Sequence, residues 1–229
     1  MKYSFIQKLI GDRLNPSLLH PSRFTLLSIK KFISQAFSEY ETAHGGKLRV
    51  LDFGCGDQPY RSFFHNHDYV GCDIGSSPEL NDKYSIIEEG QNLPYQDNFF
   101  DVILFTEVME HLKFPELYAT ELVRILKKGG IIIMTVPQIW DYHPYPQHFF
   151  LYTPDGVNLY FKEKVSQIEL YGDTTPFQTG MMIAMMYSDW KIPIIKGIYI
   201  FIINLFVLPF PGYREYNHVS SHIFAKMIK

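Results

Sequence analysis

Two glycines and two carboxylates stand where a cofactor could be held. In LDFGCGDQPYR (51–61) an apolar run leads into Gly54-x-Gly56. Glycines after a buried strand let a ligand approach the backbone with no Cβ in the way. In open α/β sheets such turns lie at the carboxyl ends of strands, where ligands bind. Asp52, within the same motif, can hold an ammonium directly or through water. Asp73 ends a second apolar run about twenty residues after the turn, the spacing at which a carboxylate accepts both hydroxyls of a ribose. A tight turn without a ligand and a solvated strand-end acid are the plainer alternatives, and a lone GxG does not separate them.

The chain has 9 histidines. His143 and His148 fall in WDYHPYPQHFFLYTPDGV (140–157), after a buried run, and so in a loop at the carboxyl edge of a sheet. A histidine there can act as a general base for a hydroxyl or an amine, because its pKa lies near neutrality. It can equally fix the loop or cap a helix. The same choice holds for His111. His20 and His44 lie in polar segments, and His65 and His67 are two residues apart. No convergent set of ligands is indicated, so no metal is expected. Trp140, Tyr142, Tyr145, Phe149, Phe150 and Tyr152 crowd the same loop. They form either an apolar lid or part of the core, and the core is expected for most of them.

The elements that must position these residues follow from the apolar spacing. Residues 25–40 place Leu26, Ile29, Ile33, Ala36, Phe37 and Tyr40 at helical intervals, with an end before His44-Gly45-Gly46. Buried strands are expected at 48–54, 68–74, 83–87, 100–106 and 129–136, with Pro59 opening a helix after the first. Residues 114–126 read as a helix ending in Lys127-Lys128-Gly129-Gly130, a C-terminal pattern. Thr153-Pro154-Asp155 reads as a helix N-cap with proline at the first helical position. Residues 165–172 and 221–228 suit two further strands. Strands apolar on both faces and alternating with helices imply a parallel sheet covered on both sides. Residues 173–218 fit no regular α/β unit and are expected to form an insertion.

Composition narrows the classes. Hydrophobic residues make up 46% and charged residues 20%, enough for a sizeable core and too ordered for disorder or a coiled coil. The net charge of −3 argues against a dedicated nucleic-acid binder, which needs a cationic footprint. Two cysteines, Cys55 and Cys72, exclude a disulfide scaffold and a cysteine-ligated zinc site. Polar residues break up the apolar N-terminus, so no signal peptide is expected and the protein reads as cytoplasmic. The most apolar stretch is IPIIKGIYIFIINLFVLPFPG (192–212). Lys196, Asn204 and three prolines argue against a membrane span. A buried helix, a subunit interface and a membrane surface remain open. Lys196 and Asn204, eight residues apart, are expected to share one polar edge.

The ordered set LDFGCG, YVGCDI, LPYQDNFFDVI, EVMEHL and ELVRILKKGGIIIMTVP resembles class I S-adenosylmethionine-dependent methyltransferases, closest to the small-molecule type called methyltransferase type 11. The resemblance covers residues 48–172. It implies a doubly wound, seven-stranded, mostly parallel Rossmann-like sheet with helices on both faces. A helical segment (1–45) would precede the methyltransferase domain (46–229), with the insertion before the last strand. It also implies S-adenosylmethionine as cofactor and methyl transfer to an oxygen or nitrogen nucleophile of a small or lipid- or saccharide-linked molecule. Asp52, Gly54 and Gly56 match the motif that cradles the methionine part, and Asp73 matches the ribose-binding acid. Glu89 falls at the adenine-side acidic position, where Glu-Gly-Gln replaces the usual Asp-Ala. Thr106 and Glu107 end the fourth strand, and Glu110-His111 matches a recurring pair. His148 lies in a segment resembling H…(Y/F)…YTP(E/D)G. His148 and His111 are thus the candidate catalytic residues. A nicotinamide enzyme is the weaker reading, since Pro59 stands where G-x-G-x-x-G needs its third glycine. A catalytically idle subunit of this fold, binding a partner or membrane surface, is the alternative function. Peripheral membrane contact and a homodimer are open expectations.

Overall fold

The computed structural model describes residues 9–74, 85–186, 193–207, 214–215 and 219–229. One sheet runs through them in the order β3-β2-β1-β4-β5-β8-β6-β7. Its strands are β1 (Arg49–Phe53), β2 (Asp68–Ile74), β3 (Ser85–Ile87), β4 (Phe100–Thr106), β5 (Leu126–Pro137), β6 (Gln167–Gly172), β7 (Arg214–Glu215) and β8 (His222–Ile228). The first five are parallel, and β8 inserts antiparallel between β5 and β6. The seven expected strands are therefore present, and the two-residue β7 adds an outer edge. The helices are α1 (Arg23–His44), α2 (Pro115–Ile125), α3 (Pro154–Phe161), α4 (Pro176–Met186) and α5 (Pro193–Val207).

Alternation along the strands assigns the two faces. Leu51, Phe53, Ile103, Phe105, Ile132, Met134, Ile223 and Ala225 pack under α2 and α3, against Tyr118, Leu122, Val157 and Phe161. Their neighbours Val50, Val102, Leu104, Ile131, Ile133 and Phe224 meet Ile29, Phe32, Ile33, Ala36 and Phe37 of α1 on the other face. Side chains of a strand alternate between faces, so strands apolar at every position need both covers. The N-terminal helix is thus packed on the same sheet as the rest.

Four local readings are corrected. Pro59 does not open a helix; only a 3₁₀ turn, Arg61–Phe64, lies between β1 and β2. Gln58 has a left-handed φ of 58° that interrupts helical winding. Tyr60 and Phe64 instead fill the space beside α1, with the Phe37 and Phe64 rings 4.6 Å apart. Lys127-Lys128-Gly129-Gly130 is not a helix end but the irregular entry of β5. There Leu126 already pairs with Phe100, and the Gly129 amide donates to the Lys229 carbonyl at 2.9 Å. A Cβ on Gly130 would lie 2.9 Å from the Asp101 carbonyl, so that glycine permits strand pairing.

The third correction concerns Lys196 and Asn204. Asn204 is fully buried, and its amide donates to the Leu18 and His20 carbonyls at 2.7 and 3.1 Å, whereas Lys196 is half-buried. They do not form one wet edge. Within residues 173–218, Met182 and Met185 of α4 pack with Ile200, Ile203 and Val207 of α5. Residues 192 and 208–212 of the apolar stretch lie outside the described residues. Among the described residues no helix is long and apolar enough to cross a membrane. Fourth, Tyr142, Tyr145, Phe149 and Phe150 are exposed rather than core, and of the aromatic loop only Tyr152 is buried.

Candidate active site

A cavity of about 790 Å³ opens at the carboxyl ends of β1, β2 and β4. It is bounded by the glycine turn, Asp73, Glu89, Glu107, Glu110, His111 and the loop residues Trp140, His143 and Tyr145. The N-terminal segment roofs it with Arg13, His20 and Ser22. This size suits a small organic ligand.

The glycine turn is latched to β2. The Gly54 and Cys55 amides both donate to the Cys72 carbonyl, at 2.8 and 3.1 Å. The Gly56 amide donates to Asp73 Oδ2 at 2.9 Å, and the Ile74 amide to Asp73 Oδ1 at 2.7 Å. Gly54 has φ 75°, and a Cβ there would lie 2.2 Å from Val108 Cγ2, so no other residue fits. Gly56 has φ 48° and would point its Cβ into open space. One glycine packs the turn against the strand-4 side, and the other keeps a cavity wall bare.

Asp52 is buried beneath this turn and accepts from the Tyr69 hydroxyl at 2.5 Å. Burial, only partly offset by that hydrogen bond, pushes its carboxyl up to about 7. Glu89 lines the cavity and pairs with Lys113, Nζ to Oε2 3.1 Å, while the Lys113 amide donates to Oε1 at 3.2 Å. Thr106 is buried at the end of β4, and its successor Glu107 supplies the cavity wall.

Glu107 belongs to a buried charge clamp. Its φ of 54° turns the side chain out of the strand direction, toward β5 and β8. Thr135 Oγ1 donates to Oε1 at 2.7 Å, and His222 Nε2 lies 3.0 Å from Oε2. On the other side of the ring, His222 Nδ1 lies 3.4 Å from Asp173 Oδ2 and 3.0 Å from Ser221 Oγ. Asp173 also accepts from Ser220, Ser221, Thr25 and the His222 amide. Burial alone would lower the His222 pKa, but the two carboxylates raise it to about 10, so the ring is charged at neutral pH. Burial opposes ionisation of Glu107 and Asp173 as well, yet His222 and the surrounding donors hold both below their usual values. Glu110 is the opposite case. It is 2% exposed, and its Oε2 has no hydrogen-bond partner among the described residues. Burial, then the charge of Glu107, raises its pKa well above the carboxylate range, leaving a neutral acid.

Three histidines meet across the loop. The ring of His111 lies 5.1 Å from that of His143 and 5.7 Å from that of His148. His111 Nδ1 donates to the Gln147 carbonyl at 2.9 Å, and His148 Nε2 to the Phe150 carbonyl at 3.0 Å. In a neutral ring the other nitrogen is then an acceptor. Burial lowers both pKa values, which keeps the rings neutral. His111 lines the cavity, whereas His148 stands behind it. Among the described residues no group of histidines, cysteines and carboxylates could hold a metal ion.

The structure thus brings Gly54, Gly56, Asp73, Glu89 and His111 to one cavity, with Asp52, Thr106 and His148 adjoining it. Sequence reasoning missed Arg13, His20, Asp173 and His222 as neighbours of the site. A single buried histidine at the head of the last strand offered no local pattern, and its partners are far apart in the chain.

A family profile described as a methyltransferase domain matches residues 51–134. A tRNA (carboxymethyluridine(34)-5-O)-methyltransferase from Arabidopsis thaliana is 34% identical over 95 residues, covering 38% of this chain and 23% of that protein. Norajmaline N-methyltransferase from Rauvolfia serpentina is 25% identical over 149 residues, covering 55% of this chain and 51% of that protein. The chain therefore spans at most about half the length of either relative. Among solved structures, an S-adenosylmethionine-dependent methyltransferase from Archaeoglobus fulgidus superposes with a TM-score of 0.52 at 13% identity, covering 100% of this chain and 99% of that one. A Thermotoga maritima methyltransferase described as a possible histamine N-methyltransferase gives 0.51 at 13% identity, covering 93% and 99%. At such identity these structures bear on the fold alone. Residues 51–134 thus match a methyltransferase domain, and the strand order agrees with the Rossmann-like fold of the superposed methyltransferase structures.

Proposed function

We propose that the protein transfers the methyl group of S-adenosylmethionine to an oxygen or nitrogen nucleophile of a small or lipid- or saccharide-linked acceptor. The observation that carries this reading is the bare Gly56 wall facing open space beside Asp73, in a cavity of about 790 Å³. The cavity fits such a cofactor in size and in its lining: the bare glycine turn, the Asp73 and Glu89 carboxylates and an aromatic loop. Asp73 and Glu89 would hold the ribose and adenine ends, and Asp52 and the turn from Gly54 to Gly56 the methionine end. Bound, the cofactor supplies an electrophilic methyl group on a sulfonium.

The chain's own contribution is alignment, exclusion of water and a place for one proton. Orientation of donor and acceptor can supply several kcal/mol of such a barrier. His111, neutral and lining the cavity, takes the proton of a hydroxyl or ammonium acceptor on Nε2, the nitrogen not engaged with the Gln147 carbonyl. His148 keeps the ring environment neutral behind it. Glu110, as an uncharged acid, donates a hydrogen bond to the acceptor from its orphaned carboxyl.

The test is incubation of the pure protein with methyl-labelled S-adenosylmethionine and extracts of small molecules and lipids. The expected result is labelled product with stoichiometric S-adenosylhomocysteine, lost in Asp73→Ala and reduced in His111→Ala. Binding of the cofactor without any turnover on either extract would favour the idle-subunit alternative. Absence of cofactor binding would overturn the reading.

A further inference from the structure

The N-terminal segment roofs the cavity with a loop at residues 10–17 that presents one arginine. Gly11 pairs with Pro16, and the Ser17 amide donates to the Ile10 carbonyl at 2.8 Å. Asp12 Oδ1 accepts from the Leu14 and Asn15 amides at 2.9 and 2.7 Å. Gly11 has φ 82°, and a Cβ there would lie 2.2 Å from the Asn15 carbonyl oxygen, so the turn requires glycine. Two cations of α1 fasten the loop. Arg23 donates to the Pro16 carbonyl, and Lys30 Nζ to the Leu14 carbonyl at 2.9 Å and to Asn15 Oδ1 at 3.2 Å. Asn204 of α5 holds the Leu18 and His20 carbonyls that follow. Arg13 takes no part in this fastening. It is exposed and lines the cavity, and among the described residues its side chain makes no hydrogen bond or ion pair.

We propose that Arg13 binds a carboxylate in the cavity, the one on the methionine end of S-adenosylmethionine. The inference rests on the cofactor reading above. That end of the cofactor carries an ammonium and a carboxylate on one carbon. Asp52 offers the ammonium an acid, whereas the turn has little to offer the carboxylate. The Gly54 and Cys55 amides are engaged with the Cys72 carbonyl, and the Gly56 amide with Asp73. Among the described residues lining the cavity, Arg13 is the only lysine or arginine. His222 is also charged there, but its two ring nitrogens face Glu107 and Asp173.

The position of Arg13 agrees with this role. Burial, then the Arg13 charge, lowers the pKa of His20 beside it on the roof. Burial is the largest influence on Asp52 and Tyr60 at the turn and on Glu107 and Glu110 after β4, and the Arg13 charge acts against it at all four. The guanidinium therefore lies within electrostatic reach of both sides of the cavity mouth. A guanidinium meets a carboxylate through two parallel N–H bonds, which fixes orientation as well as charge.

The experiment is titration calorimetry of the full chain with S-adenosylhomocysteine and with its decarboxylated analogue, which keeps the ammonium. The wild type is expected to bind the first about tenfold or more tightly than the second, as for a hydrogen bond to a charged group. Arg13→Ala should erase that preference by weakening S-adenosylhomocysteine alone. Arg13→Lys should keep part of it, because an ammonium retains the charge without the paired donors. Neither variant should change the melting temperature of the unliganded protein. A wild type that binds both ligands alike, or an Arg13→Ala variant that keeps the wild-type preference, overturns the proposal. Equal weakening of both ligands also overturns it and leaves Arg13 a role in the shape of the roof. Unchanged calorimetry, with loss of acidic methylated products from a labelled extract, would overturn the cofactor assignment and move the guanidinium to a carboxylate of the acceptor. Failure of the wild type to bind either ligand overturns the cofactor reading itself, and this proposal with it.

Discussion

The Asp73 carboxylate holds the Gly56 and Ile74 amides at 2.9 and 2.7 Å, so it shapes the turn as well as the cavity rim. Removing it should weaken S-adenosylhomocysteine binding by about 1.5–3 kcal/mol, the range for a hydrogen bond to a charged group. Titration calorimetry on Asp73→Ala checks this, and unchanged affinity would take Asp73 out of the binding site. Asp52 gives a pH signature. Its pKa rises from 3.8 to about 7 on burial, so the folded state binds more protons between those values. Stability should therefore fall as the pH climbs through that window, and stay lower above it. Asp52→Asn should melt higher than the wild type at alkaline pH and no higher in acid. A cationic ligand group nearby would favour the ionised form, so wild-type affinity should tighten as pH rises through about 7, and Asp52→Asn should lose that slope. Both acids were legible in the sequence because a strand end and a glycine turn announce themselves locally. Glu110 was legible only as half of a recurring pair. Its burial and missing partner depend on the loop from 140 to 150, which no local pattern folds back over it.

The charge clamp joins elements rather than neighbours in sequence. Glu107 ends β4, Asp173 follows β6 and His222 starts β8, so one imidazolium ties three strands at the cavity's edge. His222→Asn should leave two buried carboxylates without their cation and cost about 3–5 kcal/mol. The pH dependence follows from the directions of the shifts. The raised pKa of His222 contributes stability in full below the unfolded value near 6.5, and that contribution is lost as pH rises through about 10. The lowered carboxylates contribute above their unfolded values of 4.5 and 3.8, and lose that contribution on acidification. Thermal melting across pH should show a stability difference between wild type and variant, in which the Asp52 contribution cancels, with a plateau between these limits and a decline on either side of it. Equal melting temperatures at neutral pH would mean the clamp is not formed. The strands β2 and β4 match their expected limits because short apolar runs bounded by turns are unambiguous. The helix expected after Pro59 did not form because α1 already covers that face. The Lys-Lys-Gly-Gly end of α2 misled because strand pairing of Leu126 with Phe100 overrides a local helix-stop pattern.

On the scale of the whole molecule, α1, the sheet and the α4–α5 pair share buried cores, and the N-terminal segment closes the cavity from above. A ligand that occupies this cavity binds only the folded chain, so its binding must appear as stability. At about one hundred times its dissociation constant, one bound ligand adds about 2.7 kcal/mol. For a chain of this size each kcal/mol moves the melting point by about 2–4 °C. S-adenosylhomocysteine at that excess should therefore raise the melting temperature by roughly 5–11 °C. Gly56→Val provides the control. A branched residue at φ 48° is strained, so the unliganded variant should melt a few degrees lower, about 1 kcal/mol of cost or more. The informative quantity is its ligand-induced shift, which should vanish because the new side chain projects into the space the ligand needs. NADH should shift neither protein, since Pro59 occupies the place where a dinucleotide turn requires a third glycine. Scanning fluorimetry of both proteins with both ligands gives four shifts. A full shift in Gly56→Val would mean that the bare wall does not face the ligand. A shift with NADH and none with S-adenosylhomocysteine would replace methyl transfer with nicotinamide chemistry on the same sheet.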